Sequence, residues 1–349
     1  MNVSEFDFDL PPGLIAQAPA ERGASRLLVL RRHSTEIEHS TVARLPDLLR
    51  DGDLLVVNDT KVFPARLLGT RVPGGGTAEC LLLSKLDGDR WDALVHPGQK
   101  LTPGARMIFS SPASDGELHA EILAQHFHGR RTIRLWSDHG RSVDALVDSI
   151  GHVPLPPYIK RADEQSDRER YQTVYARERG SVAAPTAGLH FTPEILSALD
   201  KRGVQRTAIT LHVGYGTFRP VRVEQVETHT VDTECFSISE ASADTINRAK
   251  AERRRVVSVG TTTTRALEAA GRAGRGVITP QSGWTDLFIY PGHVFRIVDA
   301  LMTNFHLPRS SLLMLVCAFG GRERVLPAYR EAVARGYRFY SYGDAMVIL

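Results

Sequence analysis

The first clear hydrophobic run is DLLVVND, residues 53–59, a β-branched stretch ending on polar turn-formers; it predicts a buried strand. From about Ala65 to Trp136 the texture changes. ARLLGTRV, AECLLLSKL, RWDALVHP, ARMIFSS, LHAEILAQ and RRTIRLWS are short strand-like runs separated by clusters of Gly, Pro, Asp and Ser. Closely spaced strands with turn signals, and no helical period between them, predict a small antiparallel barrel or sandwich. PGGGT lies between two of these runs and opens no helix, so it reads as a hairpin loop and not a phosphate loop.

Further on, the period alternates. SVDALVDSI and DRERYQTVYARE have helical character, with the Pro-rich GHVPLPPYIKR as an irregular connection between them. QRTAITLHV and RRVVSVG read as strands, TRALEAAGR, SLLMLVCAF and ERVLPAYREAVARG as helices, and DAMVIL as a final strand. A β-rich block between one early strand and a long mixed remainder predicts an α/β (α+β) main domain carrying an inserted antiparallel β-barrel. The expected bounds are 1–65 with 153–349 for the main domain and 66–152 for the barrel. SSLLMLVCAF is the most apolar stretch and falls short of the roughly 18 residues of a membrane span, so a buried helix and no membrane partner are expected.

Composition narrows this modestly. At roughly 100–200 residues per domain, 349 residues fit two domains. With 42% hydrophobic residues the chain can bury a sizeable core. A net charge of +3 is compatible with a nucleic-acid partner and does not demand one. Cys80, Cys235 and Cys317 are far apart, with no CxxC pair, which argues against a disulfide framework or zinc site and for a reducing compartment. The acidic MNVSEFDFDLPPGL has no basic region followed by an apolar core, so no signal peptide is expected and the expected location is cytoplasmic.

Chemistry concentrates in a few segments. In SVAAPTAGLHFTPEIL, small residues lead to His190, and Thr192 and Pro193 are placed to cap and open a helix. A ligand close to the backbone and a tight turn with a structural His both fit. In VGYGTFRPV a Gly pair carries Tyr215 and Phe218; no helix follows, which disfavours dinucleotide binding, and base stacking or core packing both fit. VVSVGTTTTRALEAA places Thr262 and Arg265 at a helix start suited to an anion, the alternative being Thr capping with a surface Arg. In ETHTVDTECFSI, alternation puts Asp232 and Glu234 on one face of a strand and His229 on the other; no metal partner motif accompanies them. DALMTNFHLPRSS offers Asn304 and His306, and YRFYSYGDAMVIL offers Asp344. Basic patches at Lys160-Arg161, Arg168 and Arg170, Arg253–Arg255, Arg272 and Arg275, and Arg322 and Arg324 are solvated faces or parts of a phosphate-tracking surface.

Together FDFDLPPGLIAQAPA, LLVVNDTKVFPARL, DRERYQTVYA, SVAAPTAGLHFT, VGYGTFRPV, VGTTTTRALE, VDALMTNFHLPRSSLLMLVCAFGG and YRFYSYGDAM resemble, in order and nearly end to end, the S-adenosylmethionine:tRNA ribosyltransferase-isomerase family. The resemblance implies an α/β domain with an inserted barrel. It also implies transfer and isomerisation of the ribosyl group of S-adenosylmethionine onto 7-aminomethyl-7-deazaguanine in tRNA with a GUN anticodon, a step in queuosine synthesis. S-adenosylmethionine is then a co-substrate, no metal or redox cofactor is expected, and a monomer is the working expectation. Within the matched motifs, His190, Glu234, His229 and Asp232 are the catalytic candidates. Asp59, Arg66, Thr186, Thr262, Arg265 and Asp344 are candidates to bind polar parts of substrate, Asn304 and His306 to bond a base edge, and Tyr215 and Phe218 to stack.

Two positions depart from the family pattern. Asp232 stands where a second His is usual in an HxMHxE-like segment, and Pro291-Gly292-His293 replaces a PGY-like motif. A His-to-Asp change alters charge and hydrogen-bonding capacity, so a different acceptor is the runner-up. An enzyme acting on a small molecule without RNA, and a non-catalytic tRNA-binding protein, are the competing classes.

Overall fold

The computed structural model of the chain describes residues 1–34, 36–111, 116–218 and 220–349, without the side chains of 128, 139 and 218. Strands β1 (Arg26–Leu30) and β2 (Ile37–Thr41) form a hairpin, followed by the short helix α1 (Leu45–Leu48), β3 (Leu54–Asn58) and β4 (Thr60–Val62). The barrel strands come next: β5 (Arg66–Val72), β6 (Thr77–Lys85), β7 (Arg90–His96), β8 (Arg106–Phe109), β9 (Leu118–Gln125) and β10 (Arg130–Ser137). Helices α2 (Val143–Ile150) and α3 (Asp167–Arg170) lead to β11 (Glu178–Ser181), α4 (Pro193–Lys201), β12 (Gln205–Leu211) and β13 (Glu234–Ile238). The chain finishes with α5 (Glu240–Ala251), β14 (Val256–Val259), α6 (Thr261–Ala273), β15 (Gln281–Thr285), β16 (Ala300–Asn304), α7 (Ser311–Gly320), α8 (Arg322–Ala334) and β17 (Ala345–Ile348).

The main sheet has nine strands in the order β15-β13-β12-β3-β14-β16-β17-β1-β2. Its centre is parallel, β12-β3-β14-β16, so β3 and β14 are buried along their whole length, as strands covered on both faces must be. Alternation then sorts their side chains. Leu54, Val56, Ile209, Leu211 and Val256 face one core with Leu267, Leu313 and Tyr329, whereas Leu55, Val57, Val257 and Val259 face another with Phe191, Leu196 and Leu199.

The six strand-like runs close into an antiparallel barrel, β10-β7-β6-β5-β8-β9. Leu67, Cys80, Leu82, Trp91, Ala93, Phe109 and Ile133 fill it, and α2 contributes Leu146, Val147 and Ile150 to the same core. Where the chain enters and leaves, Arg66 and His152 exchange backbone hydrogen bonds of 3.2 and 2.8 Å. Gly151 fits that crossing because a Cβ would come within 2.0 Å of the Pro64 carbonyl.

Two local expectations are corrected. DRERYQTVYARE is helical only over Asp167–Arg170. Tertiary bonds override its period there. Gln172 accepts from the Val62 N–H (3.0 Å) and donates to the Val62 carbonyl (2.6 Å), which draws the segment out along β4 toward β11. The strand expected across His229–Glu234 begins only at Glu234, so Asp232 and His229 belong to an irregular approach and not to opposite strand faces.

Candidate active site

Because β3, β12, β14 and β16 run parallel, Asn58, Leu211, Val259 and Asn304 end at one edge of the sheet, where ligands of open α/β sheets bind. The segments that follow carry the chemistry. After β14, Gly260 turns with φ +92° and α6 begins without a side-chain cap. Thr263 donates back to the Val259 carbonyl (2.6 Å) and Thr264 to Ser258 Oγ (2.9 Å), leaving the first-turn N–H groups uncapped by side chains. The alternative of Thr capping with a surface Arg is thereby overturned, since Arg265 is buried as well.

Between this edge and the barrel lies a cleft of about 620 Å³ whose lining includes Tyr215, His229, Asp232, Glu234, Arg265 and the barrel residue Leu94. Glu234 is held there by three kinds of donor. Its Oε1 accepts from the Gly214 N–H and Thr217 Oγ1, both 3.0 Å, and its Oε2 from Arg265 Nη1 at 2.5 Å. Arg265 also donates Nε to the Leu287 carbonyl (3.0 Å), while its Nη2 is buried without an acceptor among the described residues. A buried guanidinium nitrogen left over from an ion pair can donate to an anion or a carbonyl. His229 stands edge-on to Phe288, with centroids 5.1 Å apart, and burial lowers its pKa below the ordinary imidazole value. Asp232 packs on Gly216, where a Cβ would come within 2.5 Å of its Oδ2.

A narrow recess of about 40 Å³ adjoins the cleft, with Thr217 and Leu312 bordering both. Thr186, Thr262, Asn304 and His306 line it. Asn304 donates Nδ2 to His190 Nε2 (3.0 Å) and to the Tyr340 carbonyl (3.2 Å). The Tyr340 carbonyl only accepts, which fixes the amide orientation, so His190 Nε2 carries a lone pair and the ring is neutral. Burial agrees, lowering the His190 pKa to about 4. Among the described residues no donor reaches the buried Asn304 Oδ1. His306 pairs with Thr303 Oγ1 through Nε2 (2.8 Å), and burial lowers its pKa to about 3.

Not every candidate reaches this site. His190 lines neither cleft nor recess and backs Asn304 instead. Asp59 is committed elsewhere, accepting from Thr210 Oγ1 (2.7 Å) and Arg177 Nη2 (2.8 Å). Asp344 accepts from the backbone N–H groups of Arg26 (2.9 Å) and Arg338 (2.8 Å). Arg66 pairs with Glu79 (2.7 Å) in a neighbouring groove that meets the cleft at Leu94, Pro157 and Tyr215. The Phe218 side chain lies outside the described residues. His293 stands 3.5 Å from Glu268, whose carboxylate accepts the N–H groups of Arg296, Ile297 and Val298; burial raises the Glu268 pKa, but these donors outweigh it and the net shift is downward.

Thr217, Tyr158 and Tyr340 were not among the candidates chosen from the sequence. Thr217 is the hydroxyl of VGYGTF. Tyr158 sits in the Pro-rich connection, and Tyr340 takes φ +73°, which nothing in YRFYSYGDAM signals. Among the described residues, Glu117, His119 and Asp138 gather with metal-ligating atoms, on the barrel and not in the cleft.

Fold and site together define an α/β protein with an inserted six-stranded barrel and a polar cleft between them. The chain belongs to the queuosine biosynthesis protein family, whose model matches residues 3–348. A Moorella thermoacetica relative called S-adenosylmethionine:tRNA ribosyltransferase-isomerase is 53% identical over 350 residues, covering 100% of both chains. One of the same name from Heliobacterium modesticaldum is 51% identical with equal coverage. A crystal structure of S-adenosylmethionine tRNA ribosyltransferase from Thermotoga maritima is 38% identical, with a TM-score of 0.56 over 99% of this chain and 100% of that one.

Proposed function

We propose that this chain transfers the ribosyl group of S-adenosylmethionine to 7-aminomethyl-7-deazaguanine at the wobble position of tRNA with a GUN anticodon, and isomerises it to the epoxycyclopentanediol of epoxyqueuosine. Adenine and methionine leave. The observation that carries this reading is identity of 53% over the full length of a relative bearing that name. The site's chemistry supports it. A sulfonium acidifies its C5′ proton, the departing adenine needs donors or acceptors on its edge, and the attacking amine must lose a proton.

In this reading His229, neutral and facing the cleft, is the base for the C5′ proton. Glu234 orients substrate beside Arg265, and Asp232 serves the acceptor amine. Arg265 Nη2 and the uncapped start of α6, with Thr262 beside it, bind the methionyl carboxylate or ribose oxygens. Asn304 Oδ1 accepts from an exocyclic amino group, with Thr186 and His306 beside it. His190 acts through Asn304 as a positioning residue. Tyr215 stacks on the splayed base. The sulfonium supplies the activation, so neither metal nor redox cofactor enters the scheme. Among the described residues no helix is long and apolar enough to cross a membrane, and a cytoplasmic site of action is part of the proposal.

The test follows adenine and methionine release from S-adenosylmethionine with and without tRNA carrying the deazaguanine. Equal release that requires the tRNA supports the proposal. Release without RNA favours a small-molecule enzyme, and RNA binding without release favours a non-catalytic protein.

A further inference from the structure

Sharing Ser341 with the recess is a second, smaller cavity of about 20 Å³. Arg22, Arg170, Ser25 and His190 are among its lining residues, with the exposed Glu21 at its rim. That volume admits one or two of the oxygens of an oxyanion, and not a sugar or base.

Among the described residues, only carbonyls accept from the two guanidiniums. Arg22 Nη2 donates to the Glu169 (2.8 Å) and Gln172 (2.6 Å) carbonyls, and Arg170 Nη2 donates to the Ala20 carbonyl. Their neighbours Arg161 and Arg177 pair with Asp167 and Asp59. Among the described residues Arg22 and Arg170 form no ion pair, and Arg22 Nη1 is buried with no acceptor. Burial and then the charge of Arg170 lower the Arg22 pKa, as expected for two cations facing one another. Such an arrangement is unfavourable empty and favourable around an anion, because fork-shaped donors match tetrahedral oxygens.

We infer that Arg22 and Arg170 form a phosphate-binding site, separate from the cleft, that seats one phosphate group. The phosphate comes either from a polynucleotide backbone or from free inorganic phosphate. The site is tied to the recess through shared Ser341 and through His190, which backs Asn304.

Thermal unfolding of the full chain in inorganic phosphate, against chloride at equal ionic strength, tests this without requiring turnover. Wild type is expected to gain about 2 °C at tenfold excess over Kd. Arg170→Gln is expected to lose the gain, and Arg170→Lys to keep part of it. Arg22→Lys, which keeps charge but not the fork, serves as a second probe should Arg170→Gln not fold. Binding of tRNA across salt concentrations then assigns the source. A slope lower by about one in the variant identifies a backbone phosphate, and an unchanged slope identifies free phosphate. A wild type that phosphate does not stabilise beyond chloride, or a gain that the folded variants keep in full, overturns the site. So does an effect confined to the KM for S-adenosylmethionine.

Discussion

Asn304 shows how one side chain is aimed by its neighbours. Its amide is fixed from behind by His190 and the Tyr340 carbonyl, so Oδ1 faces the recess. Asn304→Ala is expected to lower kcat/KM by about 10- to 100-fold, the value of one or two hydrogen bonds, with an unchanged circular dichroism spectrum. An unaltered kcat/KM would remove Asn304 from the site. Arg265 and Glu234 behave differently, since each neutralises the other in a buried place. Arg265→Met leaves the Glu234 carboxylate uncompensated and is expected to destabilise the fold by about 3–5 kcal/mol in urea unfolding. Residues of this kind were legible where a motif clustered them, as in ETHTVDTECF and VGTTTTRALE. Asp59 and Asp344 were chosen from the same polar signals, yet the structure uses them as backbone and Thr/Arg acceptors, a distinction that depends on partners far away in sequence.

At the level of elements, α6 unites the site. Its uncapped start faces the recess, Arg265 on its next turn enters the cleft, and buried Glu268 anchors the N–H groups of residues 296–298 ahead of β16. Gly260 makes the turn into it at φ +92°. Gly260→Ala is expected to cost about 1–2 kcal/mol through backbone strain, read as a lower urea midpoint with unchanged slope. No loss would mean that the turn relaxes freely. The elements most legible in the sequence were those whose signals are local. Turn residues bracketed each barrel strand, and Thr192-Pro193 marked the start of α4, where Thr192 accepts from the Ile195 N–H at 3.2 Å. DRERYQTVYARE failed because its backbone course is set by Gln172 bonding to Val62, a contact across 110 residues.

For the whole molecule, the inserted barrel and the sheet each bury their own core, and the cleft lies between them. Alternation and turn chemistry could reveal the insertion; the cleft could not be read that way, because wall positions such as Leu94 are ordinary barrel residues until the two units meet. Acid sensitivity is a property of the whole fold. His190 and His306 are held neutral by burial, with pKa values of about 4 and about 3 against an ordinary 6.5. The unfolded chain therefore binds protons first, so stability is complete above about pH 6.5 and falls as pH drops toward 4. Thermal midpoints measured from pH 7 to 4 should decline, and less steeply for a folded His306→Asn variant; parallel profiles would show that His306 does not contribute. In the proposed function this cleft converts the wobble deazaguanine to epoxyqueuosine despite Asp232. Mass spectrometry of nucleosides digested from tRNA incubated with the protein and S-adenosylmethionine tests it most directly. Epoxyqueuosine is expected in an amount equal to the adenine released. Unchanged 7-aminomethyl-7-deazaguanine, under conditions where a known active enzyme converts it, would contradict it.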